Sequence, residues 1–131
     1  MTAPDRRISV LVPVFDAERY LGEALDSALS QSVPPAEVVV VDDGSLDGSV
    51  RVASSFGGRV RVVRQDHAGI GAARNRLVSE AGGEWLAFLD ADDRWTSTAL
   101  AAHLAALETR PQADAALGRV VEPPPQQAGG A

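Results

Sequence analysis

The sequence predicts an α/β fold in which a mostly parallel sheet carries helices on both faces. Short runs of β-branched residues alternate with segments whose apolar residues recur at helical spacing, in the order βαβαβαβα. Short links join these segments, as expected for parallel strands connected by crossover helices. The chain has 131 residues, of which 45% are hydrophobic, so it can build the core of one domain. Because ligands in such folds bind at the carboxyl ends of the strands, functional residues are expected there.

The first strand and the helix after it are both evident in the sequence. Residues 8–14 are rich in β-branched side chains and predict a buried strand. Asp16 is the expected N-cap of the helix that follows, and the Ser-Val-Pro-Pro stretch at 32–35 ends that helix. The apolar stripe of this helix comprises Ala17, Tyr20, Leu21, Ala24, Leu25, Ala28 and Leu29.

The second and third predicted strands differ in their residue pattern. Residues 37–41 contain four consecutive valines, which suits a strand covered on both faces. Ser45 or Asp47 is expected to cap a helix that reaches about Phe56. Arginine and valine alternate over much of residues 59–64, which predicts a strand nearer an edge of the sheet.

A third helix leads into the fourth strand, and a fourth helix follows that strand. The helix that begins near residue 71 has Ala73, Leu77 and Ala81 on its inward face. Residues 84–89 predict a buried strand. Thr96 or Ser97 is the expected cap of the last helix. The inward face of that helix comprises Leu100, His103, Leu104 and Leu107.

The sequence divides into one domain and two polar ends. Residues 1–7 are expected to be a flexible N-terminus, and residues 8–121 form the domain, with 114–121 as a short last strand. Residues 122–131 are rich in proline, glycine and glutamine and cannot support a core, so we expect a disordered tail.

Composition narrows the classes of function. A net charge of −6 argues against a nucleic-acid partner. The chain has no lysine, which excludes a lysine nucleophile, and no cysteine, which excludes disulfides and thiol catalysis. The N-terminus does not look like a secretory signal, and no apolar run approaches the ~20 residues of a membrane helix. We expect a cytoplasmic protein, with peripheral attachment at the inner membrane face as the alternative.

The strongest functional signal is the acidic stretch Asp90-Ala91-Asp92-Asp93. It directly follows the predicted fourth strand, so its three carboxylates lie where that strand leaves the core. Three acids this close repel one another, which favours a compensating cation. Carboxylate oxygens suit a hard divalent metal such as Mg²⁺ or Mn²⁺. The simpler interpretation is an acidic turn in which Asp93 caps the next helix.

A second acidic segment, Asp42-Asp43-Gly44-Ser45, follows the second strand. It predicts either an ordinary turn or a site in which Asp42 accepts a hydrogen bond from the N–H edge of a base, with Gly44 letting a ligand approach the backbone. Farther along, the segment at 69–75 lacks the final glycine of a dinucleotide-binding fingerprint. Arg74 there lies near a helix start, where it can face an anion.

Four motifs together resemble the family 2 glycosyltransferases. They are Val-Pro-Val-Phe-Asp-Ala-Glu-Arg-Tyr-Leu at 12–21, Val-Asp-Asp-Gly-Ser-Leu-Asp at 41–47, Gly-Ala-Ala-Arg-Asn at 71–75 and Phe-Leu-Asp-Ala-Asp-Asp at 88–93. They occur in the family's order and at fitting spacing, and the resemblance covers about residues 7–121. It implies the GT-A fold, a single α/β domain that binds a nucleotide-diphosphate sugar.

The resemblance also implies which residues form the pocket. They are Pro13, Phe15, Glu18, Asp42, Arg74, Asp90, Ala91 and Asp92. By this resemblance Pro13, Phe15 and Glu18 line the nucleotide pocket, Asp42 meets the base, and Arg74 closes that side. Where the family commonly has Tyr-Asn, this chain has Phe15-Asp16, which keeps the aromatic ring but loses its hydroxyl.

The resemblance further implies an inverting, divalent-metal-dependent sugar transfer. Asp92 would ligate Mg²⁺ or Mn²⁺, and Asp90 would approach the ribose, or the sugar through the metal. The expected donor is a UDP-sugar, and the acceptor is a glycan or a small molecule with a free hydroxyl. A metal held by Asp92 would neutralise charge on the leaving phosphate.

No residue of the sequence can be assigned as the catalytic base. In this family the base comes from a region after the Asp-x-Asp segment, where the only acids here are Glu108, Asp114 and Glu122. We therefore interpret the chain as the nucleotide-binding part of such an enzyme. The alternative is a remnant that binds a nucleotide sugar without transferring it. In either case an uncovered sheet edge predicts self-association or a complementing partner chain.

Overall fold

The computed structural model describes residues 7–110 and contains a four-stranded, fully parallel sheet. The strands are β1 (Ile8–Val14), β2 (Glu37–Asp42), β3 (Arg61–Arg64) and β4 (Trp85–Phe88). Their order is β3-β2-β1-β4, and each neighbouring pair is parallel. This confirms the predicted α/β class and the position of the arginine-rich strand at an edge. All four carboxyl ends lie on one rim of the sheet.

Helices cover both faces of the sheet, as predicted. They are α1 (Glu18–Leu29), α2 (Ser49–Ser54), α3 (Ile70–Glu80) and α4 (Ala99–Thr109), with a short 3₁₀ turn at Gly57–Arg59. The larger core cluster joins one face of β1 and β2 to α1, α2 and α4, and the smaller one joins the other face to α3. Because successive strand residues alternate between faces, Val10 and Val12 belong to the first cluster and Leu11 to the second.

The strand order reverses between β1 and β4. From β1 the chain moves outward through β2 to β3, and α3 then carries it back to the opposite side of β1. Such a switch point leaves a crevice beyond the strand ends, because the two adjoining loops run in opposite directions. Here those loops begin at Phe15 and at Leu89.

The N-cap residues of α1 and α2 are Ala17 and Gly48, so the caps predicted for these two helices are wrong. Asp16 does not cap α1; it has a left-handed φ of 48°, and its carboxylate accepts a hydrogen bond from Leu46 N–H at 2.9 Å. At the start of α1, Ala17 N–H donates to the hydroxyl of Ser49, the first residue of α2, and Glu18 N–H donates to the Asp47 carboxylate in the loop before α2. The loops after β1 and β2 therefore hold each other in place.

The start of α4 is also held by a residue distant in sequence. Helix α4 begins at Ala99 with Thr98 as its N-cap residue, so neither Thr96 nor Ser97 caps it. The Gln31 side chain is buried, and its Oε1 accepts a hydrogen bond from Leu100 N–H at 3.0 Å. Its amide nitrogen donates to the Thr96 carbonyl at 2.7 Å. Trp95 packs partly buried against the larger core cluster.

Strand β4 is only half-buried, which corrects the prediction of a buried strand. It pairs with β1 alone among the described residues. Leu86 and Phe88 lie opposite Ser9 and Leu11 in the register, on the face that carries α3, and are 40% and 45% exposed. These two side chains therefore expose apolar surface on β4.

Three predicted segments lie outside the described residues: the start of the chain at 1–6, the last strand at 114–121, and the tail at 122–131. Within residues 7–110, none of the helices combines the length and the apolar character that a bilayer crossing requires.

Candidate functional site

An open cleft of about 440 Å³ lies at the carboxyl ends of β1 and β4, at the switch point of the sheet. It is lined by Pro13, Phe15, Asp16, Ala17, Tyr20, Ile70, Arg74, Asp90, Ala91 and Asp92. Six of the eight residues that the sequence singles out are therefore brought together here. The lining combines the aromatic side chains of Phe15 and Tyr20 with carboxylates.

The carboxylates of Asp90, Asp92 and Asp93 form one exposed cluster at the edge of the cleft. One oxygen of each lies within 4.8 Å of the others. Burial raises the pKa of Asp93, and the neighbouring charges of Asp92 and Asp90 raise it further. Asp93 does not cap α4, which begins six residues later; its N–H instead closes a turn onto the Asp90 carbonyl at 3.0 Å. The cluster is thus a concentration of negative charge that favours a bound cation.

Arg74 reaches this cluster from α3. Its guanidinium lies 3.8 Å from an Asp90 oxygen, and both side chains are about half exposed. Within residues 7–110 it is the one cation that forms an ion pair with any of the three carboxylates, and its partner is Asp90. The resemblance implies that Arg74 closes the side of the pocket that holds the base, whereas the structure places its guanidinium beside Asp90.

Asp42, the predicted partner of a base, is the last residue of β2 and is completely buried. Its Oδ2 accepts a hydrogen bond from Ser45 N–H at 3.0 Å. Its Oδ1 is buried without a hydrogen-bond partner. A buried carboxylate oxygen without a donor is costly, so a ligand N–H would supply what this atom lacks. Asp42 does not itself line the cleft.

The adjacent Asp43 organises the loop before α3, a role that the sequence analysis missed. Its Oδ1 accepts hydrogen bonds from Gln65 Nε2 and Ala68 N–H, both at 2.8 Å, and its Oδ2 accepts one from Gly69 N–H at 2.9 Å. Burial by itself would raise the pKa of Asp43, but these hydrogen bonds and the nearby His67 outweigh burial and lower it. Because Gly69 is the N-cap residue of α3, Asp43 fixes where that helix starts.

His67 of this loop stacks on Phe15. Their ring centroids are 4.5 Å apart with an interplanar angle of 30°. The Nδ1 atom of His67 lies 3.0 Å from Asp43 Oδ2 and 3.1 Å from the Asp43 carbonyl oxygen. A second cavity of about 120 Å³ adjoins this stack and shares Pro13, Phe15 and Ile70 with the larger cleft.

Gly44 permits the close approach of this loop. Its φ is +83°, and a Cβ at this position would lie 2.9 Å from the His67 backbone nitrogen. The sequence suggests a ligand as the group that approaches Gly44; in the structure the group is His67. The pattern Asp-Asp-Gly after β2 therefore serves to seat the loop before α3.

Glu18 and Tyr20 differ most from their predicted positions. Glu18 lies outside the residues that line the cleft, and its carboxylate is 3.9 Å from Arg51. Tyr20, assigned to the apolar stripe of α1, is 50% exposed and lines the cleft. Asp16 and Ile70 also line it. Asp16 and Tyr20 belong to the motif at 12–21 and Ile70 directly precedes the motif at 71–75, which is the sequence signal that could have identified them.

Comparison with known proteins first defines the class: the architecture is that of the GT-A glycosyltransferases. The chain has a TM-score of 0.72 and 31% identity to S. aureus TarS in complex with UDP-GlcNAc, covering 79% of this chain and 31% of that one. It has the same TM-score and 29% identity to the Pyrobaculum calidifontis mannosyltransferase PcManGT in complex with GDP-Man and Mn²⁺, covering 77% and 32%. The chain belongs to glycosyl transferase family 2, whose sequence model matches residues 9–127.

The curated relatives are also glycosyltransferases. GlyA of Streptococcus pneumoniae is 39% identical over 92 residues, which cover 68% of this chain. The putative glycosyltransferase EpsH of Bacillus subtilis is 37% identical over 89 residues, which cover 66%. These matches span only 13% and 26% of the relatives' own lengths.

Proposed function

We propose that this chain binds a nucleotide-diphosphate sugar, with a UDP-sugar as the first candidate, and forms the donor-binding part of an inverting hexosyltransferase. The observation that carries the proposal is the cleft at the β1–β4 switch point, where two aromatic side chains and the carboxylates of Asp90 and Asp92 line one ligand-sized space. Family membership and neighbours bound to UDP-GlcNAc and GDP-Man support it.

The base and the diphosphate would occupy opposite sides of the cleft. Phe15 is 49% exposed and offers a ring on which a base can stack, and the unpartnered Asp42 Oδ1 can accept a hydrogen bond from the N–H edge of a pyrimidine. Asp42 is fully buried, so the surrounding side chains must shift before a base can reach it. Arg74 lines the same cleft, and its guanidinium can face an anionic group of the donor.

The acidic cluster fits a divalent cation. Asp92 is the proposed ligand of Mg²⁺ or Mn²⁺, and Asp90 and Asp93 offer further oxygens within 4.8 Å. Mn²⁺ accompanies GDP-Man in the P. calidifontis neighbour, which supports this assignment. When bound, such an ion supplies positive charge that stabilises a leaving nucleoside diphosphate. The carboxylates of this chain hold that charge beside Arg74, where the two phosphates of the donor would lie.

Transfer to an acceptor hydroxyl, a glycan's or a small molecule's, also requires a base, which we do not assign. The candidates after the acidic cluster remain Glu108, Asp114 and Glu122, of which only Glu108 lies within the described residues. It is exposed, near the end of α4. The proposal therefore separates donor binding, which the described cleft can perform, from turnover, which needs a further residue.

Titration calorimetry with UDP in the presence of Mn²⁺ tests the proposal. The wild-type chain is expected to bind UDP, and Asp92→Asn to bind it at least about tenfold more weakly, because a carboxylate ligand of the metal is lost. Asp66→Asn is the matched control, since it removes one negative charge from an exposed residue with no side-chain bond in the described part of the chain. Equal affinity of Asp92→Asn and wild type would refute the metal assignment. Repeating the titration with GDP in place of UDP tests which nucleobase the site prefers.

A donor-binding remnant without transferase activity is the second candidate, because the described cleft offers groups that suit the donor and no residue within 7–110 is assigned as the base. The two proposals share the binding experiment and differ in turnover. Release of UDP from a UDP-sugar by the purified chain, with or without an acceptor, would rule out the remnant. UDP binding without any such release under Mg²⁺ and Mn²⁺ would support it.

A further inference from the structure

We propose that His67 is a positioning residue of the donor site, which holds the Phe15 ring in the orientation that stacks on the nucleobase. This inference rests on the proposed function, because it assigns Phe15 to the base. It concerns a residue that the four sequence motifs do not include and that does not line the larger cleft. His67 is expected to act through Phe15 and not through the ligand.

The stack itself is the first observation. Phe15 follows the end of β1 in a loop and is 49% exposed, so the β-sheet alone does not fix its ring. His67 covers one face of that ring at a centroid distance of 4.5 Å. A base sandwiched between the two rings would need a separation of about 7 Å, twice an ordinary ring-to-ring contact of about 3.5 Å. The base must therefore use the part of Phe15 that borders the cleft, with His67 supporting the ring from the other side.

The anchoring of His67 is the second observation. Its Nδ1 faces two oxygens, a carboxylate oxygen and the carbonyl oxygen of Asp43, at 3.0 and 3.1 Å. Because both are acceptors, Nδ1 carries a proton in the neutral ring as well as in the charged one. The ring is therefore held in one orientation whichever protonation state it adopts. Asp43 in turn is fixed by Gln65, Ala68 and Gly69.

The close backbone contact at Gly44 is the third observation. With φ at +83° and room only for a hydrogen, Gly44 lets the His67 backbone lie where a side chain would otherwise be. The imidazole is thus fixed from its backbone and from Nδ1, although the side chain is 60% exposed. An exposed side chain held at two points is placed to support another group, which here is Phe15.

The test compares UDP affinities, with Mn²⁺ present, among three substitutions of His67. His67→Ala removes both the ring and the anchor, and His67→Asn keeps a donor for Asp43 but removes the ring. Both are expected to weaken UDP binding by about three- to tenfold, the range expected for loss of one aromatic pair. His67→Phe keeps a ring and is expected to stay within about threefold of wild type. His103→Ala, at the only other histidine, is the control and is expected to bind like wild type.

A double-mutant cycle distinguishes positioning from direct contact. If His67 acts through Phe15, His67→Ala causes no further loss of UDP affinity when Phe15→Ala is already present. Additive losses would overturn the proposal, as would unchanged or tighter binding by His67→Ala. If His67→Asn binds UDP more weakly but unfolds at the same urea midpoint as wild type, His67 contributes to binding and not to folding. If the wild-type chain binds no UDP, the proposed function fails together with this inference; binding that is insensitive to His67 overturns this inference alone.

Discussion

Replacing Asp43 with asparagine should destabilise the protein more than any other loss of a single charge near the cleft. The Asp43 carboxylate is 2% exposed and accepts hydrogen bonds from Gln65, Ala68 and Gly69 and the Nδ1 contact of His67. In Asp43→Asn one oxygen becomes an NH₂ group. The side chains of Gln65 and His67 can adapt by presenting an acceptor instead.

The two backbone donors cannot adapt in this way. Ala68 N–H and Gly69 N–H bind different oxygens of Asp43, so one of them faces the new NH₂ group in either orientation of the amide. A hydrogen bond to a charged acceptor contributes about 1.5–3 kcal/mol, and an unsatisfied buried donor costs a similar amount. We therefore expect a loss of about 2–3 kcal/mol in the free energy of unfolding, equivalent to a fall of about 10 °C in Tm for a chain of this size.

Urea unfolding followed by circular dichroism at pH 7 measures this loss. The matched control is Asp66→Asn, which removes the same charge one residue from His67 at an exposed position, and its stability should stay within about 0.5 kcal/mol of wild type. If Asp43→Asn were as stable as Asp66→Asn, Asp43 would not hold the loop before α3, and the anchoring of His67 would lose its basis.

Three further predictions concern the titration of Asp43, the backbone at Gly44 and the exposed face of β4. Folding lowers the pKa of Asp43, so the ionised carboxylate stabilises the protein at pH values above its ordinary pKa of 3.8, and this stabilisation is lost as the pH falls below that value. The difference in urea midpoint between wild type and Asp43→Asn should therefore narrow between pH 7 and pH 3. Gly44→Ala should lower the free energy of unfolding by about 1–3 kcal/mol, because a Cβ at φ +83° meets the backbone of the neighbouring loop. In the control Gly58→Ala a Cβ meets open space, so its stability should stay near that of wild type. Equal urea midpoints of the two variants would contradict this prediction. The paired change Leu86→Ser and Phe88→Ser should reduce any self-association seen by sedimentation velocity, since both side chains expose apolar surface on β4; unchanged association would point to a different interface.

Much of the fold could be predicted from local pattern. The valine runs of β1 and β2, the arginine-rich β3 and the inward alanine and leucine of α3 depend on periodicity within short segments, and periodicity is a property of the sequence itself. The two acidic segments could be placed on one rim because parallel strands align their carboxyl ends. The half-buried state of β4 could not be predicted, since whether a strand has neighbours on both sides depends on the whole sheet.

The sequence by itself determined the class of fold, the family and the cluster of Asp90, Asp92 and Asp93, because each depends on patterns within short segments and on the order of those segments along the chain. Only the tertiary structure decided which groups meet across the loops. Asp16 binds the loop after β2 instead of capping its own helix, Arg74 reaches Asp90, and Asp43 anchors His67 against Phe15. These contacts join segments up to about fifty residues apart, and a hydrogen-bonding side chain carries no local sign of which distant donor the fold will bring to it.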